Sequence, residues 1–166
     1  RTWYLDLKLL DEYYDGAHRY HHTAPISSFY ALREALLAIA EEGVENRWAR
    51  HYRAHTAFVA GMEAMGLAMH VAEGRRIWNL NTPRVPEGID DLKVRKRLLA
   101  DYDMEVLGGF GPLAGKVFRV GIMGPLATEE NVLALLDAFE ACLRAEGFQP
   151  KGSGREAAEA VYAAAA

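Results

Sequence analysis

One arginine lies in the most strand-like segment of the sequence, residues 117–122. Alternation along a strand places Phe118 and Val120 on one face and Arg119, beside Gly121, on the other. A half-buried guanidinium needs an anionic partner, because burying it unpaired costs several kcal/mol. That partner is either a carboxylate of the protein core or a ligand carboxylate gripped by the planar fork of the side chain. Both interpretations are open from the residues alone.

A second candidate site lies just before a predicted helix that begins near Pro25. Tyr20 and Thr23 supply two hydroxyls next to that helix N-terminus, where the backbone N–H groups and the helix dipole favour a phosphate or a carboxylate. The structural alternative is that Thr23 caps the helix and Tyr20 packs against it.

The histidines raise the hypothesis of a metal-binding protein. Three lie in one loop and two have the i, i+4 spacing that places two imidazoles on one helix face; they are His18, His21, His22, His51 and His55. However, there is no HExxH pattern and no cysteine pair, and Arg47, Arg50 and Arg53 surround the helical pair. We therefore predict no metal site and a solvated basic face on this helix.

Other reactive or glycine-rich features favour structural roles. Gly108, Gly109 and Gly111 match neither a dinucleotide-binding nor a P-loop motif, so they predict a connection between strands. Cys142 lies inside a predicted helix beside Leu143, which favours packing over nucleophilic chemistry.

Composition excludes several classes of protein. The 166 residues are 51% hydrophobic and 25% charged, as in an ordinary globular protein, and the net charge of −4 with a pI near 5.9 does not favour nucleic-acid binding. No apolar stretch approaches the ~20 residues of a membrane-spanning helix. A single cysteine points to a reducing compartment, and we expect a cytoplasmic protein.

Periodicity predicts a mixed α/β domain whose helices cover a small, mostly antiparallel sheet. Helices are expected at 9–14, 26–42, 44–65, 91–102 and 129–145, and strands at 2–7, 68–72, 77–85, 104–107 and 117–122. Asp90 and Thr128 are the predicted N-caps of the last two helices. The polar segment 149–154 is predicted to link an alanine-rich helical tail that has few large apolar groups with which to dock.

Three segments resemble the class V aminotransferases, which are pyridoxal-phosphate (PLP) enzymes of fold type I. They are YHHTAPIS at 20–27, YALREAL at 30–36 and GKVFRVGIMG at 115–124. The branch that they resemble most is that of alanine–glyoxylate and serine–pyruvate (or serine–glyoxylate) aminotransferases. The resemblance implies that Tyr20 and Thr23 bind the PLP phosphate of the neighbouring subunit in a homodimer with shared active sites. It also implies that Arg119 binds the substrate α-carboxylate.

The resemblance further implies that the chain is the C-terminal portion of such an enzyme, and that a large N-terminal domain is missing. In the family, the lysine that forms the Schiff base precedes the segment that 3–5 resembles. We therefore expect residues 1–43 to end the large PLP-binding domain, 44–150 to form the small domain, and 151–166 to form a linker and tail.

With no catalytic lysine of its own, the isolated chain is expected to be inactive. Alanine or serine as amino donor, and glyoxylate or pyruvate as acceptor, all remain open. The alternative to the aminotransferase hypothesis is a stand-alone, non-catalytic module that binds an organic anion or dimerises.

Overall fold

A computed structural model describes residues 2–16 and 18–164. The chain divides into two compact units, an N-terminal unit of Arg1–Val44 and a C-terminal unit of Glu45–Ala166. The assignment of the first to the end of a large PLP-binding domain stays a prediction.

The N-terminal unit contains two helices, α1 (Leu7–Tyr14) and α2 (Ile26–Glu42). The predicted strand at 2–7 is wrong, because the chain turns there and Asp6 caps α1 by accepting a hydrogen bond from the Lys8 N–H. The predicted bounds of α2 are confirmed, and it ends at Gly43, whose φ of 83° suits glycine. No residue of α2 is buried, so its apolar side chains are exposed in this unit.

Helix α3 (Val44–Met65) has the predicted bounds, but the side expected from its periodicity to pack, marked by Trp48, Tyr52, His55, Val59, Met62 and Met65, is buried only in part. His55, Met62 and other residues of its second half are buried, whereas Trp48 and Tyr52 of the first half are exposed. Helical periodicity identified the apolar positions correctly, but the core of the C-terminal unit covers α3 only from Ala54 onward.

The sheet has three short strands, β1 (Leu80–Asn81), β2 (Leu107–Gly108) and β3 (Phe118–Gly121), in the order β1-β3-β2. All pairs are antiparallel, as predicted. The predicted strand at 68–72 shrinks to a single bridge between Met69 and Pro83. The prolines at 83 and 86 lack the N–H that a continuous ladder requires, which accounts for the shortness of the pairing at 77–85.

Helices α4 (Asp91–Tyr102) and α5 (Glu129–Ala145) have the predicted bounds and N-caps. Asp90 accepts hydrogen bonds from two backbone N–H groups of α4, and Thr128 accepts one from Asn131. They cover the inner face of the sheet in a core whose largest fully buried side chains include Phe58, Met62, Leu98, Phe118, Leu136, Phe139 and Leu143. With Phe118 and Val120 buried on this side, Arg119 lies on the outer face.

The tail forms a helix, α6 (Gly154–Ala164), that packs on α5 more fully than its composition suggested. Ala158 and Gly154 are buried, and an added Cβ on Gly61 of α3 would lie 2.8 Å from the Gly154 carbonyl oxygen. Small side chains therefore allow close backbone approach in place of large apolar contacts. An Arg155–Asp137 ion pair also joins α6 to α5.

Candidate active site

Arg119 is held by its surroundings without an anionic partner from the protein. Its Nε donates a hydrogen bond to the Gly108 carbonyl oxygen at 2.8 Å, and its guanidinium carbon lies 4.3 Å from the ring centroid of Phe110. Among residues 2–16 and 18–164, no Asp or Glu forms an ion pair with it. The hypothesis that Arg119 forms a salt bridge within the core is therefore wrong. Its Nη1 and Nη2 groups remain as hydrogen-bond donors for a ligand.

The outer face of the sheet forms a depression of about 310 Å³ around this arginine. It is lined by Leu80, Glu105, Leu107, Arg119, Gly121 and Met123. The register explains this set, because cross-strand partners share a face and Leu107 pairs with Arg119 while Leu80 pairs with Gly121. An added Cβ on Gly121 would lie only 3.1 Å from the Met123 Cε, so glycine keeps the space open.

The glycine-rich segment connects β2 to β3, as predicted, and shapes the arginine site. An added Cβ on Gly109 would lie 2.1 Å from the Leu113 carbonyl oxygen, which only glycine tolerates. Gly111 has a φ of 58° at the start of a 3₁₀ turn. This tight turn presents the Gly108 carbonyl and the Phe110 ring to Arg119. Phe110 could not be assigned to this site from the sequence, because its contact with Arg119 depends on the tight turn between the two strands.

The two hydroxyls predicted in the N-terminal unit do lie together. The Tyr20 hydroxyl and Thr23 Oγ1 are 2.5 Å apart, and both side chains are exposed, Tyr20 by 65%. Thr23 does not cap α2, whose N-cap is Pro25 with no side-chain hydrogen bond. The alternative in which Thr23 caps and Tyr20 packs is therefore wrong. Tyr20 lies five residues and Thr23 two residues before Pro25, the N-cap of α2.

The neighbouring histidines pack among aromatic rings. His21 is 8% exposed, with its ring centroid 4.1 Å from that of Trp3, and His22 lies 4.3 Å from the Tyr4 ring. They anchor the segment that carries Tyr20 and Thr23. In the described part of the chain, no three His, Cys, Asp or Glu side chains are placed to hold a metal ion.

His51 and Arg50 connect α3 to the segment that follows β3. The Gly124 N–H donates to His51 Nε2 at 3.0 Å, and His51 Nδ1 donates to the Arg47 carbonyl oxygen at 2.7 Å. Arg50 Nη1 donates to the carbonyl oxygens of Gly124 and Ala127 at 2.8 and 2.9 Å. The predicted solvated basic face is wrong for Arg50, because these carbonyls hold it half-buried. Sequence reasoning missed this connection, since the partners are more than 70 residues apart.

His55 forms a buried hydrogen bond with Asn81 of β1, with 2.6 Å between Nδ1 and Oδ1. The Asn81 amide nitrogen donates to the Trp78 carbonyl, which orients its oxygen as the acceptor for His55 Nδ1–H. Burial lowers the pKa of His55, an effect that the hydrogen bond to Asn81 opposes and the nearby Arg76 reinforces. The His55–Asn81 hydrogen bond joins α3 to the sheet.

Cys142 is buried in α5, and its environment makes it unreactive. Burial raises the pKa of the thiol to about 11, so the thiolate is scarce at neutral pH. The prediction that this cysteine packs is confirmed by its complete burial in the core.

The chain is similar in sequence to known aminotransferases. No protein-family profile matches the chain. It is 38% identical over 161 residues to (S)-ureidoglycine–glyoxylate transaminase of Bacillus subtilis. The aligned region is 97% of this chain and 38% of the relative. It is 40% identical over 148 residues to alanine–glyoxylate aminotransferase of Felis catus, covering 86% and 36% of the two chains.

Solved structures agree with these relatives. The crystal structure of the Bacillus subtilis ureidoglycine–glyoxylate aminotransferase superposes with a TM-score of 0.91 at 37% identity, over 98% of this chain and 42% of that one. An alanine–glyoxylate aminotransferase from Nostoc sp. gives 0.81 at 46% identity, over 86% and 38%.

Fold and sequence together place the chain among the PLP-dependent aminotransferases of fold type I. Within them it belongs to the class V family, in the branch of the glyoxylate aminotransferases, as the resemblance implied. The chain spans about two fifths of the length of the curated relatives it matches. No helix in residues 2–16 or 18–164 has the length and apolar character needed to cross a membrane.

Proposed function

We propose that this chain supplies the substrate-carboxylate and PLP-phosphate contacts of an aminotransferase that moves an amino group between alanine or serine and glyoxylate or pyruvate. The observation that supports it best is Arg119, a half-buried cation on an open sheet face without an ion-pair partner among the described residues. Two of the relatives are named as glyoxylate aminotransferases, which supports glyoxylate as an amino acceptor.

Arg119 is oriented to bind a carboxylate with two parallel hydrogen bonds. The Gly108 carbonyl takes the Nε–H and the Phe110 ring lies near the guanidinium, which leaves Nη1 and Nη2 as donors. Such a fork holds a planar carboxylate in a defined orientation as well as binding it. Arg119 thereby orients the substrate Cα–H bond for cleavage, a positioning contribution to the rate.

Tyr20 and Thr23 are the residues that would hold the phosphate of PLP. Their hydroxyls are 2.5 Å apart and exposed, next to the N-terminus of α2, and this donor set suits a phosphate dianion. In the homodimer that we propose, they serve the active site of the neighbouring subunit. When bound, PLP supplies the electron sink for the bond broken at the substrate Cα.

The 166 residues by themselves are proposed to lack transaminase activity. All five lysines are exposed, and none is enclosed in an apolar pocket; they are Lys8, Lys93, Lys96, Lys116 and Lys151. The Schiff-base lysine would come from the large PLP-binding domain of the complete enzyme.

The single buried cysteine supports a cytoplasmic location.

Steady-state kinetics of the complete enzyme test this function. Replacing Arg119 by Ala should raise KM for both the amino-acid and the keto-acid substrate by tenfold or more, the effect of losing a charge-assisted pair of about 1.5–3 kcal/mol. Arg75→Ala removes an exposed cation elsewhere in the same unit and should leave KM unchanged. Wild-type KM values in Arg119→Ala would contradict the assignment.

A further inference from the structure

The depression around Arg119 contains a second charged side chain that the proposed function does not use. Among the residues that line it, Glu105 is the one acidic group and Arg119 the one basic group. Glu105 is exposed and forms no ion pair with any residue in the described segments 2–16 and 18–164. Its carboxylate is thus available to act on whatever occupies the depression.

Glu105 lies on the same side of the sheet as Arg119, because both line the depression. Glu105 lies two residues before Leu107, the cross-strand partner of Arg119, in the segment that leads into β2. Gly121 has no side chain to separate the two charges, and the surrounding Leu80 and Met123 are apolar.

We propose that Glu105 is a specificity-determining residue that disfavours substrates with a second carboxylate. This inference rests on the proposed function, in which Arg119 binds the α-carboxylate. Once a substrate neutralises Arg119, the Glu105 charge lacks a counterion within the depression. A second carboxylate placed there meets like-charge repulsion, whereas the short neutral side chains of alanine or serine meet none.

The repulsion should be moderate, because the depression is open to solvent and therefore screened. We expect a selectivity on the order of tenfold, which corresponds to about 1.4 kcal/mol. A simple structural role for Glu105 would not depend on ionic strength in this way. Salt dependence of selectivity is therefore the signature of the proposed effect.

Equilibrium binding to the complete, PLP-loaded enzyme tests the inference, with two unreactive acids as ligands. Calorimetry would measure the dissociation constants of propionate and succinate at low and high salt for wild type, Glu105→Gln and Glu87→Gln. Glu87 is exposed in a turn away from the depression and serves as the matched control. Glu105→Gln should raise the affinity for succinate relative to propionate about tenfold. The ratio of succinate affinity to propionate affinity should rise with salt concentration in wild type and in Glu87→Gln. In Glu105→Gln it should change little with salt.

A ratio in Glu105→Gln equal to that of wild type at both salt concentrations would overturn the inference. An Arg119→Gln variant distinguishes this failure from failure of the proposed function. If Arg119→Gln weakens propionate binding while Glu105→Gln leaves the ratio unchanged, only the role of Glu105 fails. If Arg119→Gln binds propionate as wild type does, the proposed function fails and this inference fails with it.

Discussion

The aromatic ring of Phe110 lies against the guanidinium of Arg119, with 4.3 Å between the guanidinium carbon and the ring centroid. Phe110 itself is 70% exposed, so one side of the ring contacts the arginine while much of the rest faces solvent. Together with the hydrogen bond from Nε to the Gly108 carbonyl, this contact restricts the arginine in two directions. A side chain that is already ordered loses less entropy when it binds a carboxylate.

Replacing Phe110 by Ala in the complete enzyme should therefore raise KM for the amino-acid substrate. A cation–π contact at an exposed site contributes about 0.5–1 kcal/mol, which corresponds to a two- to fivefold change. The turnover number should change less than KM, because Phe110 acts through Arg119. Phe110→Tyr keeps an aromatic face and should restore the wild-type KM in the same steady-state assay; equal KM in all three proteins would rule out the positioning role.

Removing the hydroxyl of Tyr20 should weaken cofactor retention. Tyr20→Phe deletes one of the two hydroxyls that are 2.5 Å apart, and a hydrogen bond to a charged phosphate is worth about 1.5–3 kcal/mol. We expect the complete enzyme to lose PLP at least tenfold more readily, measured by its absorbance after dialysis. Tyr30→Phe removes an exposed hydroxyl from α2 and is the matched control. Equal PLP content in both variants would argue against the phosphate assignment.

The hydrogen bond from the Gly124 N–H to His51 Nε2 should stabilise the C-terminal unit. His51→Ala leaves that backbone donor without its 3.0 Å acceptor and should lower the free energy of unfolding by about 1–3 kcal/mol. Chemical denaturation would measure the loss. His70→Ala is the comparison, because His70 is also half-buried but its ring forms no hydrogen bond in the described chain. A loss no larger in His51→Ala than in His70→Ala would show that the connection contributes little.

Protonation of His55 should make stability depend on pH. Burial lowers the pKa of this imidazole below its ordinary 6.5, so the unfolded chain binds a proton more tightly than the folded one. The stabilising contribution is complete above about pH 6.5, where His55 is neutral in both states, and is lost as the pH falls toward the lowered folded-state pKa. The midpoint of thermal unfolding should fall over this range.

The variant that isolates this effect is His55→Gln, which keeps a polar group near Asn81 but cannot titrate. Its unfolding midpoint should decline less between pH 7.5 and pH 5 than that of the wild type, even if its stability at pH 7.5 is lower. Parallel curves for the two proteins would mean that His55 does not cause the acid sensitivity. Differential scanning calorimetry over a pH series would provide both curves.

The helices could be predicted closely from the sequence because their end signals are local. Asp90 and Thr128 bind backbone N–H groups within three residues, and Gly43 supplies the positive φ that ends α2. The strands were predicted less well because pairing depends on a partner that is distant in sequence. The apolar segment at 2–7 thus became a turn and the start of a helix, and 68–72 kept only one bridge.

The sequence by itself determined which residues carry the candidate chemistry. Alternation put Arg119 on the face opposite Phe118, and the resemblance singled out Tyr20 and Thr23. Only the tertiary structure excluded the internal salt bridge and the helix cap as roles for these residues. It showed Arg119 without an internal carboxylate partner in the described chain, Thr23 bonded to Tyr20 instead of capping α2, and Glu105 beside the arginine. The reason is physical: residue type sets what a group can bind, but whether a partner is within reach depends on strand register and packing between distant segments.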